Sequence, residues 1–106
     1  MADEGLRDEL RAFVDEREWG QFRTQENLAK SISLEAAEML ECFQWKAEAD
    51  ESRVRSELAD VLTYCFLLAD RLGTSPETLI REKLAITKAK YPVERSRGRS
   101  TKYDQL

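Results

Sequence analysis

Apolar residues recur along this chain at helical spacing, and no segment shows the alternation expected of a strand. Leu6, Leu10, Phe13 and Val14 form one stripe between about Glu4 and Arg17, which Trp19-Gly20-Gln21-Phe22 breaks. A second helix is predicted from Thr24, a suitable N-cap, to about Trp45, with Leu28, Ile32, Ala36, Met39 and Phe43 on its stripe. A third runs from Asp50 or Ser52 to Gly73, a natural C-terminal cap. It carries Val54, Leu58, Val61, Leu62, Cys65, Leu68, Ala69 and Leu72. Ser75-Pro76-Glu77 signals a fresh start, with serine at the N-cap, proline in the first turn and an acid beside it. That fourth helix bears Leu79, Ile80 and Leu84 and stops at Tyr91-Pro92, because the residue before proline is steered away from helical angles. Residues 91–106 read as an irregular basic tail. The expected fold is all-α, a four-helix bundle or a dimer built from one.

Two acidic pairs disturb this pattern. Leu34, Ala36, Ala37, Met39, Leu40, Cys42 and Phe43 suit a core, yet Glu35 and Glu38 stand among them. On a helical wheel Glu35 falls inside the stripe, between Leu28 and Cys42, and Glu38 lies about 60° away at its edge. The third helix repeats the device with Glu57 and Asp60. Glu57 lies about 40° from Val61 and about 20° from Leu68 and Tyr64, with Asp60 further round the same flank. A short connection near 47–51 favours antiparallel packing, which would set the two pairs face to face. A lone ExxE in a chain with 21 acids is ordinarily solvated surface. Two pairs leaning into apolar stripes on adjacent helices point instead to a shared divalent cation, since ionised carboxylates do not crowd an apolar groove unpaired. Oxygen-only ligands suit Mg²⁺, with Mn²⁺ as the alternative. Glu41 lies further out and reads as plain surface, an outer ligand or a group that positions water.

Composition narrows the chemistry. The chain has no histidine, which excludes a histidine base and argues against iron and the usual zinc enzymes. Cys42 and Cys65 have no metal-like spacing and read as small core residues in a reducing compartment. The 106 residues suffice for one small domain, 1–106, and a domain this small gains by oligomerising. The net charge of −4 argues against a nucleic-acid partner. No run is apolar enough to cross a bilayer, and Met1–Leu10 has no signal-peptide pattern, so no membrane partner and a cytoplasmic location are expected. Carboxylate-held Mg²⁺ keeps positions open for substrate phosphates. Arg95, Arg97, Arg99 and Lys102 are the basic counterpart, or merely a solvated terminus. Trp19 and Trp45 are candidates for stacking on a base, or for packing.

Four blocks, FVDEREWGQF, ENLAKSISLEAAEMLECFQWK, ELADVLTYCFLLADRLG and KYPVERSRGRSTKYDQL, carry a resemblance along nearly the whole chain. They resemble, in order, the MazG-like all-α nucleotide pyrophosphohydrolases, most closely the dCTP pyrophosphatase branch. The family's ExxE and ExxD are Glu35-Ala-Ala-Glu38 and Glu57-Leu-Ala-Asp60. The resemblance implies that Glu35, Glu38, Glu57 and Asp60 coordinate Mg²⁺. It also implies that Trp19, Trp45 and Tyr64 line a nucleotide pocket, and that Lys102 and Tyr103 form the tail's KY, Lys102 meeting phosphate. It implies a core shared within a homodimer or homotetramer. The implied reaction takes a (deoxy)nucleoside triphosphate to monophosphate and pyrophosphate, cleansing the nucleotide pool, with Glu38 or Glu41 activating water. One departure stands out: the branch's eukaryotic dCTP enzymes carry a histidine where this chain has Leu10, which puts a cytosine preference in question. The alternatives are the same chemistry on dUTP or phosphoribosyl-ATP, or a non-catalytic helical interaction module.

Overall fold

The computed structural model describes residues 2–106, with side chains from residue 5 onward. It contains α1 (Ala2–Glu16), α2 (Gln25–Glu41), α3 (Glu51–Arg71), α4 (Pro76–Lys90) and a short α5 (Val93–Ser96). Single 3₁₀ turns occupy Trp19–Phe22 and Tyr103–Gln105. Among the described residues there is no strand, so the all-α expectation holds, with five helices rather than four. No helix among them is long and apolar enough to cross a membrane. The chain divides into two compact units, Met1–Ser75 and Pro76–Leu106.

In the first unit, local chemistry sets the helix ends. Thr24 Oγ1 accepts a hydrogen bond from the Asn27 N–H at 3.1 Å, capping α2. Asp50 does the same for α3 through the Ser52 N–H at 3.0 Å. Each cap satisfies one of the N–H groups that a helix start leaves without a partner. At the far end of α3, Gly73 takes φ +75°. The Gly73 N–H then reaches Asp70 O and the Thr74 N–H reaches Ala69 O, both at 3.0 Å. A side chain would strain that backbone, as the glycine signal implied.

The expectation that α2 reaches Trp45 is corrected: it ends at Glu41. There the bonding tightens, with Phe43 N–H to Leu40 O at 3.0 Å and Gln44 N–H to Glu41 O at 3.1 Å. Those shorter loops absorb the last carbonyls and turn the chain toward α3. Glu35 stands six residues before the end of α2, and Glu57 six residues after the start of α3. Their meeting fixes the two helices as antiparallel neighbours. Leu28, Cys42, Ala69 and, from α1, Val14 are the buried apolar residues. Leu34 and Leu40, expected in the core, are instead 67% and 71% exposed. Apolar residues surround much of α2, and the single chain covers only part of its circumference.

The second unit also corrects the expectation of an irregular tail over 91–106, since α5 and the terminal 3₁₀ turn order part of it. Tyr91 anchors that order. Its hydroxyl accepts the Tyr103 N–H at 3.1 Å, and the two rings meet edge to face at 6.1 Å. Lys90 Nζ lies 4.5 Å over the Tyr103 ring.

One ionic clamp ties α1 to α3. Arg11 grips the Asp70 carboxylate with two nitrogens, Nε lying 2.9 Å from Oδ2. Arg7 Nε lies 3.0 Å from Oδ1. The hydrogen bond from Arg11 is the main reason the Asp70 carboxyl titrates below its ordinary value. A depressed carboxylate adds stability above the unfolded group's pKa and loses it as pH falls through the folded value. Asp70→Asn should therefore cost about 1 kcal/mol at neutral pH, the scale of a partly exposed bidentate pair. In thermal melts the gap to wild type should persist down to roughly pH 5 and close in stronger acid.

Candidate functional site

The site is built on the facing flanks of α2 and α3. Glu35, Glu57 and Asp60 each bring one carboxylate oxygen to a common point, all within 4.8 Å of one another. Glu35 and Glu57 are half-buried and Asp60 is exposed. One oxygen of Glu35 and one of Glu57, Oε2 in each case, is fully buried without a hydrogen-bond partner. A buried carboxylate oxygen left unpaired is costly. Two such acids grouped with a third fit a cation, and a donor set made only of carboxylate oxygens suits a hard divalent ion.

Glu38, the fourth acid of the two pairs, stands beside this group. Its carboxyl interacts with those of both Glu35 and Glu57. The Glu38 carboxyl is accordingly raised above its ordinary value, first by the hydrogen bond to Glu35 and the charge of Glu35, then by burial and the charge of Glu41. The bond to Glu57 opposes the rise. Glu57 is raised too, chiefly by burial and then by Glu38 and Asp60, with Arg53 opposing. Glu41, exposed at the end of α2, thus acts on the cluster through its charge.

Asp60 also lines an adjoining pocket of about 310 Å³. Its walls include Trp19, Tyr64, Leu10, Phe13 and Arg23. Trp19 reaches it through a sharp reversal after α1. Glu18 adopts the left-handed φ of 53°, and the following 3₁₀ turn brings the indole edge to face against Phe13 at 5.5 Å. Tyr64 follows Asp60 by one turn of α3. Leu10, the position singled out by the missing histidine, faces the same pocket and offers it no polar atom. Arg23 went unnoticed in the sequence, where it reads as one more surface cation. Its guanidinium lies 5.3 Å over the Tyr64 ring and 5.6 Å from the Trp19 ring centre. The available signal was its place one residue beyond the WGQF break, which fixes its direction.

The remaining expected residues lie elsewhere. Trp45 follows the end of α2 and is 89% exposed in the single chain, outside the lining of this pocket. Lys102 and Tyr103 belong to the second unit, where Tyr103 is held by Tyr91 and Lys90.

Residues 30–106 match the MazG-like family. The chain is 34% identical over 104 residues to dCTP pyrophosphatase 1 of Rattus norvegicus and 32% identical to that of Homo sapiens, with 89% of this chain covered in each. It spans about three-fifths of the length of these relatives, 61% in both cases. A crystal structure of a pyrophosphatase from Archaeoglobus fulgidus superimposes with a TM-score of 0.79 at 40% identity, covering 87% of this chain and 94% of that one. The chain belongs to the MazG-like family.

Proposed function

We propose that this chain hydrolyses nucleoside triphosphates to the monophosphate and pyrophosphate in the presence of Mg²⁺, Mn²⁺ being the alternative ion. The observation that carries this is Asp60, which joins the convergent carboxylates to an aromatic pocket in one continuous site. The relatives' own names agree with the reaction class, and they make dCTP the first nucleotide to test.

Glu35, Glu57 and Asp60, with Glu38 beside them, would hold the ion. When bound, it neutralises charge developing on the phosphate oxygens. Trp19 and Tyr64 would give the base flat aromatic walls on which to stack. Trp45, open in the single chain, would add a wall from beyond the end of α2. Lys102, with Tyr103, would meet the phosphates. Glu38 or Glu41 would take a proton from the attacking water as its oxygen bonds to the α-phosphorus and the bond to the pyrophosphate oxygen breaks. Glu38 stands beside the cluster, and its raised carboxyl would be the stronger base of the two once ionised. Such a reaction would cleanse the nucleotide pool. The free thiols Cys42 and Cys65 suit a reducing cytoplasm.

We place the chain in a homodimer, or a tetramer of two dimers, forming a bundle whose core is shared. Leu34 and Leu40 support this, since both lie open on α2. Small domains bury too little of their own surface to leave such residues wet at no cost.

Outcomes are expected for activity, stability and assembly. With a panel of nucleotides and Mg²⁺, the products should be monophosphate and pyrophosphate. Glu57→Gln and Asp60→Asn should each lower kcat by about a hundredfold or more. Orthophosphate as the product, or full activity in both variants, would sink the proposal. For stability, Glu38 and Glu57, raised in the folded state, destabilise it as they ionise. The metal-free chain should therefore melt lower as pH rises from the free glutamate value, about 4.3, through the raised ones, above the range over which Asp70 gains its stabilising charge. Glu38→Gln should flatten that slope and raise the metal-free melting temperature at neutral pH. Adding Mg²⁺ should raise the wild-type melting temperature by mass action; no response would favour a non-catalytic interaction module. In light scattering, Leu34→Glu with Leu40→Glu should reduce the mass of the assembly, and an unchanged monomer mass in wild type would refute the shared core.

A further inference from the structure

Arg23 is the one cation among the residues lining the aromatic pocket. It makes no ion pair among the described residues, although Asp60 lines the same pocket. Its Nε is fully buried and has no hydrogen-bond partner. A buried N–H of this kind ordinarily finds an acceptor. The guanidinium lies 5.3 Å over Tyr64 and 5.6 Å from the Trp19 ring centre. Contact with ring faces holds the planar group in place while its N–H donors stay available at its edge. No acceptor of the lining takes that N–H: Leu10, Phe13, Val14 and Leu67 have apolar side chains, and neither Asp60, Thr63 nor Tyr64 is bonded to it.

We infer that Arg23 reads the base of the bound nucleotide, favouring a base that turns a carbonyl oxygen toward it over one that turns an exocyclic amine. This rests on the nucleotide reading of the pocket given above. Apolar and aromatic walls receive a base, whereas phosphates belong with the cation at the carboxylate cluster. A guanidinium has five donors and no acceptor. Guanine O6 and N7 are its usual bidentate partner, and the O4 of uracil accepts in the same way. The amine of adenine or cytosine sets donor against donor. Leu10 cannot supply the acceptor that would rescue that amine.

Two pairs of substrates test the effect, since dGTP and dATP share a ring system, as do dUTP and dCTP, and a carbonyl replaces an amine at purine C6 and at pyrimidine C4. Agreement of the pyrimidine pair removes the guanine 2-amine as the cause. Wild-type chain with Mg²⁺ should favour the carbonyl member of each pair in kcat/KM by about tenfold or more. Arg23→Gln should bring both ratios close to one, mainly through KM, and Arg23→Lys should keep part of the preference. Thermal melts of both variants report folding, and Arg23→Lys decides if Arg23→Gln does not fold. An equal loss on all four nucleotides would mark a phosphate contact and overturn the inference. So would unchanged ratios, or a wild-type preference for the amine in both pairs. Tryptophan fluorescence titrated with dGMP and dAMP without metal separates this inference from the hydrolase reading. If no triphosphate is cleaved, tighter binding of dGMP that Arg23→Gln abolishes still sustains the role of Arg23. Equal binding, or no binding, refutes it.

Discussion

Mutual repulsion among carboxylates between α2 and α3 is the constraint on which the rest depends. Glu35, Glu57 and Asp60 converge within 4.8 Å, and Glu38 adds a fourth acid whose carboxyl interacts with two of them. Left alone, such a group opposes the packing of the very helices that create it. The scaffold answers with rigidity. Thr24 and Asp50 cap the starts of the two helices, Gly73 closes the end of α3, and Leu28 and Ala69 are sealed in the small core. The Arg7–Asp70–Arg11 clamp then ties α1 to α3, one turn beyond Leu67 of the pocket wall. A site that stores repulsion in this way is poised to gain from a cation, because the ion replaces a cost the fold already bears.

Much of this was legible from helical period alone. Glu35 and Glu57 each fell inside an apolar stripe on the wheel, and those two are the half-buried acids whose oxygens lack partners. Glu38 and Asp60 fell at the margins, and both are exposed. The capping residues were equally readable, because a threonine, an aspartate and a glycine act through local bonds that need no tertiary partner. What escaped was of another kind. The end of α2 at Glu41 depends on a shift to tighter backbone bonding, which no side chain in Phe43-Gln44-Trp45 announces. Arg23 depends on Glu18 taking a left-handed turn, and a non-glycine residue gives little sign of that in sequence. Periodicity says which face a helical residue occupies but is silent on a residue placed by a turn.

The exposed face of α2 follows from size. Leu34 and Leu40 were expected inside because an apolar residue in a mostly apolar helix belongs in some core. A chain of 106 residues has few elements with which to surround one helix. The stripe that meets α3 is covered and the remainder is not. Helix periodicity therefore identifies apolar surface correctly while leaving open whose core it joins, and α2 has more such surface than one neighbouring helix can take.

Leu10 and Arg23 show how a pocket of fixed walls can change what it reads. Both line the cavity formed with Trp19 and Tyr64. The aromatic walls are indifferent to the identity of a base, since every base offers a flat face. Discrimination must come from the few polar atoms at the edges, where an unmet donor or acceptor costs more than a missing apolar contact. With leucine at position 10, the inferred role of Arg23 gives that burden to a guanidinium clasped by two rings and one buried N–H short of a partner. The carboxylate cluster meets the same pocket through Asp60, and its donor set is made only of carboxylate oxygens. On the proposed reading, chemistry would belong to α2 with α3 and selectivity to the turn after α1, so a substitution in that turn would retune the base without disturbing the cation.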